Sequence, residues 1–349
     1  MTSLATTADD ETERFAAEAG RLLGRPVTAI SALGGGGNNR VYRVTVDGGE
    51  YALKTYPRDP GDPRNRLDTE YAGLEFLVAR GVDCVPVPVA RDAVNGIALY
   101  QWIQGRPIKR PGTTDVDAAA AFVERLRGTS RDSGAADLNE ASEACLSGRA
   151  AAKQTRARRD RLIAASGPHP ELASFLADKV GPALERMTAG AAEKYQALGL
   201  DFEADIGKSK RTLSPSDFGF HNALLTASGD IAFVDFEYFG WDDPVKLTAD
   251  FLLHPGFEMD DRLKRRFAGA MKALFSDDES FGPRLGLLFP LFALRWTMIL
   301  LNEFLPGRLA RRRYAGAGEE NAVLWARQLD KARAMLFRAV SAEEAFPYD

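Results

Sequence analysis

The chain has little of what would cross-link it, place it in a membrane or give it a strong field of one sign. Only two of its 349 residues are cysteine, Cys84 and Cys145, which excludes a disulfide framework and points to a reducing, cytoplasmic setting. The three histidines, His169, His221 and His254, are scattered singly, so their spacing carries no zinc signature. Lys and Arg number 45 against 49 Asp and Glu, and the resulting formal net charge of -4 gives no hint of nucleic-acid binding. No leader or membrane segment stands out: Met1 to Arg14 is polar and acidic and reads as a frayed end. The most apolar run, Leu285 to Leu301, contains Pro290 and Arg295. It falls short of a clean span of about 20 apolar residues and is expected as a buried helix. A monomer or homodimer off the membrane is the expected state.

What is present is a composition that is 45% hydrophobic, enough to bury a full core across two lobes, and one oxygen-rich stretch. Ser214-Pro215-Ser216-Asp217-Phe218-Gly219-Phe220-His221-Asn222 is followed by Phe233-Val234-Asp235-Phe236-Glu237. Phosphoryl transfer uses one Asp to orient the attacking hydroxyl, an Asn five residues on to hold a metal, and a second Asp after a buried strand. Asp217, Asn222 and Asp235 stand in that order and separation. Ala223 to Leu225 and Ile231 to Val234, joined by a turn, read as a hairpin that brings Asn222 and Asp235 to neighbouring strand ends. An Asp and an Asn amide oxygen suit Mg2+. Turn residues flanking any hairpin would also supply an Asp and an Asn.

Upstream, Val27 to Leu33, the run Gly34-Gly35-Gly36-Gly37-Asn38-Asn39, and Arg40 to Val46 read as strand, glycine-rich turn and strand, and Glu50 to Tyr56 as a further strand. Residues two apart share a strand face, so Ala52 and Lys54 point together; a small residue can roof a purine while the ammonium reaches its phosphates. Consecutive glycines permit close backbone approach to phosphate, or simply a flexible turn. In Arg66 to Leu77 the residues Leu67, Tyr71, Leu74 and Leu77 recur at helical spacing. Glu70 lies beside that stripe, where a carboxylate can pair with Lys54; Glu75 is a candidate for a merely solvated one. The segment from about Asp115 to Leu198 is Ala-rich and expected to be several helices. On one of them a basic stretch from Arg149 to Arg161 reads as a solvated face or a site for an anionic partner.

Taken together, these motifs resemble the aminoglycoside phosphotransferase and choline kinase-type family of small-molecule kinases over roughly residues 20 to 330. The resemblance implies an α+β, protein kinase-like two-lobed fold: a small lobe over 1–103 with an antiparallel sheet and one helix, and a larger, mainly helical lobe over 104–349. It implies ATP and Mg2+ as cofactors, Asp217 as catalytic base, and Asn222 and Asp235 on the metal. It also implies Gly35, Gly36, Gly37, Asn38, Val41, Ala52, Lys54 and Glu70 around the nucleotide. The segment Ala98 to Gly105 is similar to the family's hinge, with the backbone of Gln101, Trp102 and Ile103 on the adenine edge.

Two departures stand out. Pro215 and Ser216 occupy the places where the family usually has His-Gly, and His221 is a candidate for a relocated partner. Glu237 follows two residues after Asp235, as a metal ligand, an acceptor-site anion or a structural carboxylate. Asp243-Pro244 reads as a helix start, leaving only seven residues after Asp235. That is too short for an activation loop that docks a polypeptide. The implied reaction moves a phosphate to a hydroxyl of a small molecule, with Glu237, Trp241, Asp242 and Arg295 as acceptor candidates. A nucleotide-binding pseudokinase or regulator is the alternative, and a protein kinase the third reading.

Overall fold

The computed structural model describes residues 2–33, 40–56, 64–307 and 321–349. Gly35, Gly36, Gly37 and Asn38 lie outside them. Helix α1 (Thr2–Leu23) leads into strands β1 (Val27–Leu33), β2 (Val41–Val46) and β3 (Gly49–Thr55), then helix α2 (Arg66–Val78) and strands β4 (Pro88–Asp92) and β5 (Ile97–Gln101). The five strands form one antiparallel sheet in the order β1-β2-β3-β5-β4.

Strand alternation separates the two faces of this sheet. Tyr42, Val44 and Val46 of β2, with Leu53, Ile97 and Leu99, are buried against Phe15 and Ala19 of α1. Val41, Ala52 and Lys54 fall on the opposite face, with Val41 paired to Lys54 in register. The end read as frayed is therefore helical from Thr2. Phe15 and Ala19, one turn apart, anchor it to the sheet, a stripe that the polar residues before Phe15 concealed.

The rest of the chain is mainly helical. It contains α3 (Thr113–Thr129), α4 (Gly148–Ala165), α5 (Pro170–Phe175), a π turn at Leu176–Val180, and α6 (Gly181–Ala197). After these come α7 (Pro244–Leu253), α8 (Asp261–Leu274), α9 (Phe281–Leu300) and α10 (Asn321–Ser341). Short strands β6 (Gly105–Pro107), β8 (Ala223–Thr226) and β9 (Ile231–Phe233) make one small sheet, and β7 (Thr212–Ser214) pairs with β10 (Gly240–Asp242). Phe281–Phe304, which includes α9, is the one stretch among the described residues long and apolar enough to cross a bilayer, and most of it is buried inside the protein. A helix apolar on all sides needs cover on all sides, and α4, α6, α7 and α10 supply it.

Two aromatic anchors hold the segments that carry Asp217 and Asp235 in place. Phe218 and Phe236, each immediately after a key Asp, both pack on Phe122 of α3, at 5.6 and 6.2 Å between ring centroids, and Phe233 stacks on the same ring at 4.5 Å. Phe122 is 1% exposed, so a single buried side chain registers both loops. At the α7 start, the Asp243 carboxylate accepts the Val245 N–H at 2.9 Å and Pro244 occupies the first turn.

The β10 strand is pinned by backbone contact. Trp241 N–H donates to the Asn139 carbonyl, and Ala141 N–H to the Trp241 carbonyl, both at 2.9 Å. A Cβ on Gly240 would lie 2.4 Å from the Asn139 oxygen and 2.6 Å from the Ala141 nitrogen, neither of which can swing away. Gly240→Ala is expected to destabilise by about 1–3 kcal/mol. Gly269→Ala, in the exposed interior of α8 with open space around it, should stabilise by about 0.5–1 kcal/mol. Urea unfolding of the two variants checks the pair, and equal midpoints would contradict it.

Candidate active site

Lys54, on β3, is buried, and its ammonium has two carboxylate partners. Glu70 Oε2 lies at 2.6 Å and Asp235 Oδ1 at 2.5 Å. Burial pulls the ammonium toward its neutral form, but Glu70, Asp235 and Glu237 more than reverse this and raise its pKa above the ordinary value. Burial lifts the Glu70 carboxyl above its ordinary range, against the opposing pull of Lys54. Glu70 makes two further bonds: Tyr56 OH donates to Oε2 at 2.7 Å, and Phe236 N–H donates to Oε1 at 3.1 Å. Tyr56 in turn shares a 2.7 Å hydroxyl contact with Tyr100, near the end of β5. A single carboxylate thus connects the sheet, α2 and the backbone just after Asp235.

Asp217 stands on the loop after β7. Its Oδ1 lies 3.2 Å from His221 Nε2 and 3.2 Å from His254 Nε2. Burial raises its pKa, and the hydrogen bonds from the two imidazoles more than reverse that, so the carboxyl sits well below the usual range and is ionised at neutral pH. Burial holds His254 below its ordinary value, against the pull of Asp217. The Asn222 amide donates from Nδ2 to the Asp217 carbonyl at 3.0 Å, which leaves its oxygen turned away from that bond. Val234 N–H donates to the Asn222 carbonyl at 2.9 Å, so the hairpin places Asn222 next to the turn into Asp235. Asp235 has φ 68°, a left-handed conformation that costs a non-glycine residue on the order of 1 kcal/mol and collects at functional sites.

The model of the phosphotransferase enzyme family matches residues 29–270, more than half of the chain. The chain belongs to this family. No curated protein sequence matches it. Among solved structures, it is similar to the choline kinase LicA from Streptococcus pneumoniae, with 16% identity, a TM-score of 0.56, and 89% of this chain and 94% of that one covered. It is similar to the spectinomycin phosphotransferase APH(9)-Ia in complex with ADP and its antibiotic, with 12% identity, a TM-score of 0.56, and 93% and 98% covered. It is also similar to a Plasmodium vivax ethanolamine kinase, with 13% identity, a TM-score of 0.56, and 89% and 84% covered. At these identities the likeness establishes the two-lobed, protein kinase-like fold.

Against this family's usual His-Gly, Ser216 takes φ 67° at the glycine place. Its strain is offset by two bonds: its Oγ donates to the Ser142 carbonyl at 3.1 Å, and its N–H to Ser214 Oγ at 3.0 Å. Lys246, fully buried, lies 2.9 Å from Asp242 Oδ2 and 3.0 Å from Asp250 Oδ2, behind the same loop.

The four acceptor candidates lie deeper than their sequence positions suggest. Asp242 is 0% exposed, and its Oδ1 accepts the Cys145 and Asp243 N–H groups at 3.0 and 2.8 Å. Arg295 is buried between Asp250 at 3.2 Å and Glu143 at 3.0 Å. Glu237 is 2% exposed beside Arg66. The Trp241 indole donates to the Ala135 carbonyl at 2.8 Å. In the segment read as a hinge, Gln101 N–H donates to the Val87 carbonyl and Trp102 N–H to the Glu50 carbonyl, while the Ile103 N–H has no partner among the described residues. The basic stretch on α4 is laced by acids: Arg156 and Arg159 pair with Glu185, and Arg158 turns inward to Glu143.

Sequence reasoning missed Tyr56, His254 and Glu143. Tyr56 was within reach, since it lies two residues after Lys54 and shares its strand face. His254 caps α7, far from Asp217 in sequence, and no spacing signals it. Glu143 sits in a loop at φ 61°. Burial would raise its pKa, but Arg158 and Arg295 bring it down to about 2. A depressed carboxylate stabilises the fold above its ordinary value of 4.5, and that contribution fades as pH falls toward about 2. Glu143→Gln is therefore expected to cost roughly 1–2 kcal/mol at pH 7, allowing for its partial exposure. The difference from the parent should narrow in urea titrations between pH 4.5 and about 2; a gap independent of pH would contradict the ion-pair assignment.

Proposed function

We propose that this chain transfers the terminal phosphoryl group of ATP to a hydroxyl of a small molecule, with Asp217 as the base. The observation that carries the reading is the convergence of Lys54, Glu70 and Asp235 in one ion-paired set, with Asn222 linking Asp217 to the hairpin that ends at Asp235. The nucleotide lies between a lobe of residues 1–103 and one of 104–349, its adenine against Ala52 and Val41. Ile103 N–H is the hinge donor left for the base edge, and Gln101 and Trp102 shape the hinge around it. Gly35, Gly36, Gly37 and Asn38, which lie outside the described residues, are the residues the family resemblance assigns to the phosphates.

Asn222 and Asp235 fit a magnesium ion. The Asn222 oxygen is free of its amide's bond to Asp217, Asp235 uses one oxygen on Lys54, and its side chain is 36% exposed. Both are the hard oxygen donors Mg2+ prefers. Asn222 and Asp235 would hold the ion, which would supply positive charge to offset the negative charge of the phosphates. Lys54 holds the phosphates as a fixed positive charge, and Glu70 holds Lys54. Asp217, ionised and weakly basic, aligns the acceptor hydroxyl with the terminal phosphorus. As the new phosphorus–oxygen bond forms and the bond to the leaving ADP breaks, the hydroxyl proton passes to the Asp217 carboxylate. Catalysis of this kind is mostly positioning and charge neutralisation.

The acceptor is an amino alcohol, an amino sugar or a sugar, the range that the choline kinase, ethanolamine kinase and spectinomycin phosphotransferase suggest by name. Asp242, Arg295, Glu237 and Trp241, paired internally, brace the loop instead of meeting that acceptor. A nucleotide-binding regulator is the second reading, favoured by Pro215 and Ser216 in the His-Gly places.

The test is ADP release from magnesium-ATP against choline, ethanolamine, spectinomycin, other amino sugars and neutral sugars. Acceptor-dependent release is expected, reduced by about 100-fold or more in Asp217→Asn with ATP affinity nearly unchanged. Full activity in that variant would contradict the base assignment. ATP binding without turnover on any acceptor would put the regulator ahead.

A further inference from the structure

We infer that His221 and His254 are positioning residues that jointly clamp one oxygen of Asp217 and leave the other as the single oxygen able to take the acceptor hydroxyl. This rests on the proposed role of Asp217 as base and explains how the site works without a His-Gly pair before it.

The two imidazoles reach Asp217 from different elements, His221 from the catalytic loop and His254 from the end of α7, and both present Nε2 to the same Oδ1 at 3.2 Å. A carboxylate oxygen has two lone-pair sites. Two N–H donors fill both, while Oδ2 takes no bond from the described residues and the Asp217 side chain remains 38% exposed. The protein fixes which nitrogen carries the proton. Gly256 N–H donates to His254 Nδ1 at 2.9 Å. That nitrogen is therefore an acceptor, and in the neutral ring the proton is on Nε2, facing Asp217. On His221, Nδ1 is buried with no partner among the described residues. A buried N–H left unmade costs about 1–3 kcal/mol, so its proton also belongs on Nε2.

The rings cannot turn away from these bonds. They stack on each other at 3.8 Å and 8°, Phe257 lies parallel to both at 6.0 and 5.5 Å, and the Trp296 indole meets His254 edge-on at 4.7 Å. Trp296 is itself held by a 2.8 Å bond from its indole N–H to Asp250. A carboxylate that could rotate would offer either oxygen to the acceptor; this one is held in a single orientation.

The same geometry argues against a metal centre, although the ligand atoms of Asp217, His221 and His254 lie within 4.8 Å of one another. A histidine that ligates through Nε2 donates its Nδ1–H to an acceptor. Here the Nδ1 of His254 faces a donor.

The chain has only three histidines, so long-range proton–nitrogen correlation spectra of the full-length, histidine-labelled protein read the tautomers directly. The Nε2–H form is expected on both rings, with the His254 Nδ1 unprotonated, unchanged by one equivalent of Zn2+. An Nδ1–H tautomer on His254, or zinc-induced shifts of both rings, would overturn the inference, the latter in favour of a metal centre. The kinetic arm uses magnesium-ATP hydrolysis with water as acceptor. His254→Phe keeps the ring stack and removes the donor. It is expected to lower kcat about 10-fold or more with KM for ATP unchanged, the scale expected for misplacing a catalytic group. His254→Gln, which regains an N–H, should recover part of the loss. A wild-type kcat in His254→Phe alongside an inactive Asp217→Asn overturns the clamp and leaves the base intact. Wild-type hydrolysis in Asp217→Asn removes the base assignment itself.

Discussion

The Glu70 carboxylate is the interaction on which the rest of the site depends. Burying a carboxylate is costly unless its lone pairs are met, and Glu70, 3% exposed, meets them with Lys54, Tyr56 and the Phe236 N–H. The partners come from two pieces of the molecule. Lys54 and Tyr56 come from the sheet of the small lobe, and Phe236 from the loop of the large one. Because Phe236 directly follows Asp235, the carboxylate sets the distance between Lys54 and Asp235 as well as the tilt of Lys54. Tyr56 and Tyr100 extend the same chain of bonds to the end of β5, so the sheet and the Lys54 ion pair share one buried reference point.

The large lobe solves a parallel problem with charges of both signs. Lys246 is wholly buried between Asp242 and Asp250, and Arg295 lies between Asp250 and Glu143. Such a network is weak evidence of stability, because desolvation offsets much of its attraction. What it supplies is geometry. Asp250 holds Trp296, which packs on His254, which bonds Asp217. Lys246 also approaches Ser216, the strained residue before Asp217. Hydrophobic packing completes the placement, since Phe218 and Phe236 both rest on Phe122.

Much of the fold was legible because local rules and tertiary needs agreed. The alternation of β2 and β3 assigned Lys54 and Ala52 to one face, the stripe of α2 put Glu70 beside it, and Asp243-Pro244 marked a helix start in both sequence and structure. Where reading failed, the deciding contacts were long-range. Nothing near Met1 to Arg14 announces the sheet that orders α1, and nothing near His254 announces Asp217. Acidic and aromatic letters after Asp235 looked available to an acceptor, yet Asp242 and Glu237 are buried with cationic partners. Composition records that a charge exists, and only the fold decides whether another charge already meets it.

In the proposed function, Lys54, Asn222 and Asp235 act together as one clamp for a metal-bound polyphosphate. Calorimetric titration of ATP into the wild-type protein and Asp235→Asn, each with magnesium and with chelator, tests it most directly. The wild type should bind ATP at least about tenfold more tightly with magnesium, a difference of roughly 1.4 kcal/mol, and the variant should lose that dependence. An unchanged magnesium dependence in Asp235→Asn would contradict the account.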